Sequence, residues 1–302
     1  MLYCRHDIVL ATIACYDIII NSMHHLRPTI VIVCRNIDED LSPFNSGYYL
    51  KAYADLLLAV KHHGANVYFS TKRQYRGKGL FDKAYTISSR VPVKNFTEVT
   101  SIYAHLVYNK GDFADVLDIA ILNPPYVHTI TSNKHETYKF FSAYQPISHL
   151  CHNIKEITIA LREVPGSMIV VKSLTGNGGH GVSILKREDI NTRNQSFVPI
   201  YPVLVQEFLD TSCGIPGMAE GIHDLRIKIG GGDVWGGTLR IPCKGELRAN
   251  VAQGGSEQHL FPNQIPKGAL DIAIEIDRYF IDYPRYYSID LVRTKGGWKL
   301  SS

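Results

Sequence analysis

Lys172 and the glycines that follow it are, by type and spacing, the residues of this chain best suited to chemistry. In Val170-Val-Lys-Ser-Leu-Thr-Gly-Asn-Gly-Gly-His-Gly-Val182 an apolar run delivers a lysine, and a loop then carries Gly176, Gly178, Gly179 and Gly181. With no Cβ to block the approach, backbone N–H groups of such a loop can close on phosphate oxygens, while the lysine supplies a point charge for the same group. It is not a Walker loop, because no Gly-Lys-Ser/Thr opens a helix. Nor is it a dinucleotide fingerprint, because a strand follows it. Taken alone, an ordinary glycine-rich hairpin accounts for the segment equally well.

Further polar groups are spaced along later runs. Val203-Leu-Val-Gln-Glu-Phe-Leu-Asp210 ends in Gln206, Glu207, Phe208 and Leu209, which suit an adenine edge and ribose; the plain alternative is an edge strand with Glu207 solvated. Asp224 and Arg226, then Arg240, then Arg248 and Asn250, place cations and an amide on strands facing one prospective cleft. Arginine meets phosphate or carboxylate with two parallel hydrogen bonds. Each arginine taken singly is better explained by a surface ion pair. Asp290, inside Tyr287-Ser-Ile-Asp-Leu-Val292, is an acid within an apolar strand and requires a metal or an arginine partner.

The elements that must hold these groups follow from hydrophobic periodicity. Thr29–Cys34 is β-branched and short, as a buried parallel strand should be. Tyr48–His63 has helical spacing closed by Gly64, and 66–69 forms the next strand, completing a β-α-β unit. A last strand of the same sheet is expected over 117–122, ending at Asn123-Pro-Pro, with helices over 133–144 and 154–162. After Pro165 strand-like runs separated by glycines dominate: 168–172, 181–185, 203–208, 225–229 and 235–241. These predict antiparallel meanders, with a late helix over 270–280 and a late strand over 287–292. The fold class is α+β with a small α/β domain in front.

Composition narrows the function classes. The 302 residues are about twice a typical single domain, which favours two or three domains. Apolar content of 45% with 20% charged residues excludes disorder and coiled coil. The balance of 32 basic to 28 acidic residues gives +4, too even for a protein that coats nucleic acid, so any phosphate site must be local. Six cysteines, at 4, 15, 34, 151, 213 and 243, contain no CxxC pair and read as free thiols of a reducing compartment. The apolar run 8–20 is too short to cross a bilayer and is broken by Asp17, so a cytoplasmic protein without a membrane partner is expected. Asn95 and Asn194 fit a glycosylation tripeptide that is frequent by chance.

The order Lys134, Lys172, glycine loop, Gln-Glu-Phe-Leu, Asp-Leu-Arg, Arg-x-Asn with Gly254-Gly255, and Ile-Asp-Leu resembles the ATP-grasp superfamily over roughly 120–300. It is most similar to the carboxylate–amine ligases of the glutathione synthetase and ribosomal-protein glutamate ligase type. The resemblance implies an ATP-grasp fold, two α+β subdomains clasping ATP, preceded by a small α/β pre-ATP-grasp domain. The expected division is an N-terminal α/β domain over 1–125, a central subdomain with its lid over 126–205, and a C-terminal subdomain over 206–302. By the same resemblance Lys134 and Lys172 would hold ATP phosphates, and Gly176–Gly181 would close over them. Gln206, Glu207, Phe208 and Leu209 would line the adenine pocket, and Asp224 would sit near the ribose or acceptor end. Arg226, Arg240 and Arg248 would bind phosphate, carboxylate or acyl-phosphate, with Asn250 beside that group, and Asp290 would ligate Mg²⁺. The implied reaction joins an amino-acid or peptide carboxylate to an amine through an acyl-phosphate, with release of ADP.

One departure stands out. The family follows its strand aspartate by a Glu-x-Asn motif about a dozen residues later, a position that here falls at Ser302. Either the chain is cut before the end of the metal motif or the site is degenerate, and truncation is the expectation. A degenerate site would leave a non-catalytic nucleotide-binding protein as the alternative. The identities of the carboxylate and amine, an amine against a thiol acceptor, and the oligomeric state are not readable; a homodimer is implied by resemblance alone. Two weaker features complete the survey. His149 and His152 are expected on one helical face, more often packed or surface histidines than metal ligands. The four tyrosines between 279 and 287 suit a packed aromatic edge better than base stacking, given the near-neutral charge.

Overall fold

The computed structural model describes residues 27–34, 37–40, 44, 47–62, 64–87, 96–108, 113, 115–116, 118–176, 181–191, 199–243, 245–246 and 255–301. They form three sheets, each with its own core.

The first sheet begins with β1 (Thr29–Val33) and β2 (Asn66–Ser70), joined through the helices α1 (Ile37–Asp40) and α2 (Gly47–His62). β1 lies parallel to β2 on one side and to β6 (Leu106–Tyr108) on the other, and β6 lies parallel to β7 (Ala120–Leu122). The α2 residues Tyr53, Leu56 and Val60 recur at helical spacing and pack with Ile30, Ile32 and Phe69 in one core. Val31, Val33, Val107 and Ile121 project to the opposite face and enter a second core with Phe81 and Phe113, so both faces are covered, as the continuous apolar strands require. Antiparallel β3 (Tyr75–Gly77), β4 (Leu80–Ile87) and β5 (Phe96–Tyr103) extend the sheet beyond β2. These hairpins lack the strong apolar runs of the parallel strands, and sequence periodicity did not anticipate them.

α3 (Pro125–Ser132) and α4 (Lys134–Phe141) lead into the second sheet, in which β8 (Ser148–Cys151), β9 (Met168–Ser173), β10 (Val182–Lys186) and β11 (Val203–Glu207) take the order β10-β9-β11-β8. All of its pairings are antiparallel. Two short helices, α5 (Ile154–Ala160) and α6 (Arg187–Asn191), accompany it, and α5 contributes Ile157 and Ala160 to the core with Val171 and Val205. The expectation of a helical face for His149 and His152 is corrected here. His149 lies in β8, opposite Val205 of β11, and His152 follows the strand. Pairing with a distant strand overrides a local spacing that spans under one helical turn.

The third sheet is wholly antiparallel, in the order β14 (Ser256–Leu260), β13 (Asp233–Ile241), β12 (Asp224–Gly230), β15 (Tyr286–Thr294), β16 (Gly297–Leu300). Over 224–227 and 288–291 its residues alternate between the two faces. Leu225, Ile227, Ile229, Leu239, Ile289 and Leu291 pack with Ala269, Ala273 and Ile276 of α7 (Lys267–Asp277). Burying each such Leu or Ile stabilises the fold by about 1.5–3 kcal/mol. The intervening positions, Asp224, Arg226, Arg240 and Asp290, therefore share the other face. Among the described residues no helix is long and apolar enough to cross a membrane.

Candidate functional site

The polar face of the third sheet meets the lysine-bearing strand of the second. Arg226 on β12 stands opposite Asp290 on β15, and Asp224 stands opposite Arg240 on β13. The Arg226 guanidinium donates from Nε to Asp290 Oδ1 and from a terminal nitrogen to Oδ2, both at 2.7 Å. Arg240 donates from Nε to Asp224 Oδ1 at 2.8 Å and also lies 3.0 Å from Asp290 Oδ2. Burial alone would raise the Asp290 carboxyl, but the two arginines outweigh it and hold that group well below the usual carboxylate range. Asp224 moves the other way: burial and the Asp290 charge raise its carboxyl against the pull of Arg240 and Arg226.

Lys172, buried on β9, donates to the backbone carbonyl of Ser301 at 2.6 Å. Burial and the charge of Lys134 bring its ammonium down to about 8, against the opposing pull of Asp224 and Asp290. Lys134 opens α4. The Asn133 side chain caps that helix by accepting from the backbone N–H groups of His135 and Glu136, an arrangement worth about 1 kcal/mol. From this position the Lys134 ammonium donates to Gly176 O at 3.0 Å, and its backbone N–H donates to Leu174 O at 2.9 Å. Burial lowers the Lys134 ammonium as well. A half-buried Lys134 thus meets the start of the glycine loop, while the buried Lys172 stands on the strand that delivers that loop.

The loop is framed by Gly176 and Gly181, both at positive φ. At Gly181 an added Cβ would sit 2.5 Å from Ser173 Oγ, so the return of the loop into β10 admits no side chain. Gly178 and Gly179 lie outside the described residues, as do Arg248 and Asn250.

Beyond β11 the chain stays extended. Gln206 is buried and donates to Ser148 Oγ at 2.8 Å, so it supports β8 from within the sheet. The Glu207 carboxylate accepts from the Ile147 N–H, and its own N–H donates to Ile147 O. Among the described residues the peptide groups of Phe208 and Leu209 form no backbone hydrogen bond. They are half-buried, leaving a donor and an acceptor of the kind that a planar purine edge needs.

Half of the expected residues are thereby brought to the place where the two sheets meet: Lys134, Lys172, Gly176 and Gly181 on one side, and Asp224, Arg226, Arg240 and Asp290 on the other. The Ser301 carbonyl was not foreseen, because a backbone acceptor carries no signature of residue type. Neither was Leu174.

The arrangement fits a nucleotide polyphosphate. Among the described residues four cations stand against two carboxylates, and both lysine ammonium groups donate to backbone carbonyls. A resident Mg²⁺ on Asp290 does not fit. Both its oxygens are taken by arginine, and the described residues include no group of three His, Cys, Asp or Glu side chains able to hold a metal.

Two antiparallel sheets facing one another across paired lysines and a glycine loop are the architecture of the ATP-grasp fold. Residues 133–278, just under half of the chain, match the family described as prokaryotic glutathione synthetase, ATP-grasp domain. A probable alpha-L-glutamate ligase of Thioalkalivibrio sulfidiphilus is 33% identical over 115 residues, 37% of this chain and 36% of that protein. A glutathione synthetase of Thermosynechococcus vestitus is 36% identical over 92 residues, covering 29% and 26%. The matched region thus spans about a third or less of these relatives. The crystal structure of D-alanyl-alanine synthetase A from Vibrio cholerae superimposes with a TM-score of 0.57 at 13% identity, covering 92% of this chain and 88% of that one. That likeness is one of fold.

Proposed function

We propose that the chain binds ATP between its second and third sheets and uses it to join a carboxylate to an amine. The observation that carries this reading is the placement of Lys134 against the glycine loop and of Lys172 on the strand that leads into it, opposite a sheet face bearing Arg226 and Arg240. The similarity to a glutamate ligase and a glutathione synthetase supports carboxylate–amine ligation within the range of ATP-dependent chemistries.

In this reading ATP supplies the phosphoryl group that activates the carboxylate, and an amine then opens the acyl-phosphate to give amide, ADP and phosphate. The chain's own part is positioning and charge neutralisation. Lys134 and Lys172 hold the phosphates, exchanging their carbonyl acceptors for phosphate oxygens. Phe208 and Leu209 present backbone groups to the base. Arg240, tied to both Asp224 and Asp290, keeps a fixed orientation beside Arg226, so positive charge stands ready where phosphoryl oxygens gain negative charge. The glycine loop covers the phosphates and excludes water, which would hydrolyse an acyl-phosphate.

The test is ADP release from ATP, assayed with panels of amino-acid carboxylates and amines. Turnover should require both substrates and should vanish in Lys172→Ala; unchanged turnover in that variant would refute the assignment. A second reading, nucleotide binding without turnover, is favoured by one observation, the engagement of Asp290 by two arginines. Mg²⁺-independent ATP binding with no ADP release for any carboxylate and amine pair would select it.

A further inference from the structure

We infer that His259 takes the proton from the attacking amine while Glu257 beside it holds the ammonium, an inference that rests on the ligase reading above. A single row of residues crosses the face of the third sheet that meets Lys172. It starts at Ser301, whose carbonyl accepts from Lys172 and whose N–H donates to Asp290 O. Asp290 stands opposite Arg226, Arg226 opposite Thr238, and Thr238 opposite His259 on the edge strand β14. Residues directly opposite one another in an antiparallel sheet share a face, so His259 lies on the face that carries the two arginines. Strands about 4.8 Å apart put its Cα about 10 Å from that of Arg226. ATP phosphates at the Lys172 end and an acyl-phosphate on the arginines leave the β14 end for the group that attacks.

The local geometry suits a base. His259 Nδ1 lies 3.4 Å from the hydroxyl of Thr238, a buried residue of β13. With the ring proton on Nδ1, facing that hydroxyl, the lone pair is at Nε2. Glu257 Oε1 stands 4.0 Å from Nε2, and the two side chains are 35% and 49% exposed, so a ligand can reach both. At that separation the pair is too far apart for a direct hydrogen bond, but an ammonium about 2.9 Å from each fits between them. Among the described residues the charged groups that face His259 are Glu257 on its own strand and, on β13 and β12, Arg240 and Arg226.

The chemistry requires such a group. An amine that is an ammonium at neutral pH has no electron pair with which to attack. His259 Nε2 takes one proton, and the freed pair forms a C–N bond at the acyl carbon. The C–O bond to phosphate then breaks, and the phosphate leaves with that bonding pair and with the proton that the nitrogen sheds as it becomes an amide. His259 returns its own proton to solvent. Glu257 stays ionised throughout and only orients the amine.

The experiment separates activation of the carboxylate from attack by the amine. The full chain is given magnesium ATP and each proteinogenic amino acid as carboxylate, with either the same amino acids or hydroxylamine as acceptor. Hydroxylamine is uncharged at neutral pH and needs no base. Hydroxamate from the wild type reports the acyl-phosphate, and its absence overturns the ligase reading together with this inference. His259→Gln should lower kcat for amide formation by roughly a hundredfold or more and remove the acid limb of its pH–rate profile, with hydroxamate formation kept within about threefold. Glu257→Gln should raise KM for the amine and change kcat little, as loss of a binding contact does. Three outcomes overturn the inference and leave the activation of the carboxylate standing: amide formation unchanged in His259→Gln, an equal fall in amide and hydroxamate, or hydroxamate without any amide in the wild type.

Discussion

Arg226 grips Asp290 across neighbouring strands with two parallel hydrogen bonds of 2.7 Å each, while Arg240 reaches the same carboxylate from the far side at 3.0 Å. The register makes this possible. β12 pairs with β13 and β15 so that both arginines and both aspartates share one face. A carboxylate in an otherwise apolar strand is thus stabilised by cations from two strands, and it fixes the direction in which those cations point.

The two aspartates should therefore respond differently to neutralisation. Asp290→Asn leaves Arg226 without its carboxylate and should cost about 3–5 kcal/mol, the usual penalty for breaking a buried pair. Asp224→Asn removes a like charge from beside Asp290 while Arg240 keeps a partner, so it should cost far less. Asp290 titrates below its unfolded value of 3.8, so its contribution is complete above that value and lost as acid carries the pH down through the folded value. Asp224 titrates above 3.8, so its ionisation opposes folding, and acidification through that window relieves the strain. Urea denaturation of both variants at neutral and acid pH checks the contrast; equal losses would refute it.

Lys172 should control nucleotide affinity in a pH-dependent way. Its ammonium titrates near 8, so the free protein loses the charge as pH rises through that value, and ATP binding should weaken with it. Lys172→Arg should keep its charge and flatten the upper limb, whereas Lys172→Ala should bind roughly tenfold to a hundredfold more weakly at neutral pH, the scale of one charge-assisted hydrogen bond. Calorimetric titration with ATP across the alkaline range distinguishes these outcomes. An upper limb identical in wild type and Lys172→Arg would remove Lys172 from the phosphate site.

The parts legible in the sequence were those set by local pattern. A β-branched run gave β1, 3.6-residue spacing before Gly64 gave α2, and glycine-separated apolar runs gave the antiparallel character of the second and third sheets. What could not be read depends on partners far along the chain. β8 is a strand because β11 lies beside it, although its four residues carry no strong alternation. The need of Asp290 for either a metal or an arginine was evident from its apolar surroundings, but the choice between them is made by pairing with a residue 64 positions away. Of the four tyrosines between 279 and 287, Tyr286 and Tyr287 pack inside as expected, while Tyr279 and Tyr283 face outward. A run of aromatic residues does not by itself say which face each will take.

The glycine loop should tolerate no side chain at its return. At Gly181 a Cβ meets Ser173 Oγ at 2.5 Å and Ser173 Cβ at 3.1 Å, with φ at +71°. Gly181→Ala should destabilise the loop by about 1–2 kcal/mol from the backbone conformation alone, and it should weaken ATP binding by displacing the loop from the lysines. Adding Ser173→Gly removes the steric part but not the conformational part, so recovery should be partial. Affinities of the single and double variants, measured by calorimetry, separate the two contributions; wild-type affinity in the single variant would show that the loop does not shape the site.

Asn123 should act as the tie between the first sheet and the third. Immediately after β7, its side-chain amide donates to Tyr286 O at 2.7 Å and accepts from Tyr286 N–H at 2.6 Å, so one residue satisfies both backbone groups of a residue 163 positions away. Tyr286 also packs into the core of the first sheet, with Trp235 against it. Asn123→Ala would strand two partly buried backbone groups at a cost of about 2 kcal/mol. Asn123→Asp keeps the acceptor for the Tyr286 N–H but sets a carboxylate against the Tyr286 carbonyl, so it should not rescue the loss in full. Hydrogen exchange at the Tyr286 amide reports the bond directly: it should quicken in Asn123→Ala and much less in Asn123→Asp, while the Arg226–Asp290 pair four residues further along β15 should hold. Unchanged protection at Tyr286 in the alanine variant would show that β12 alone, not the tie, holds that end of the strand.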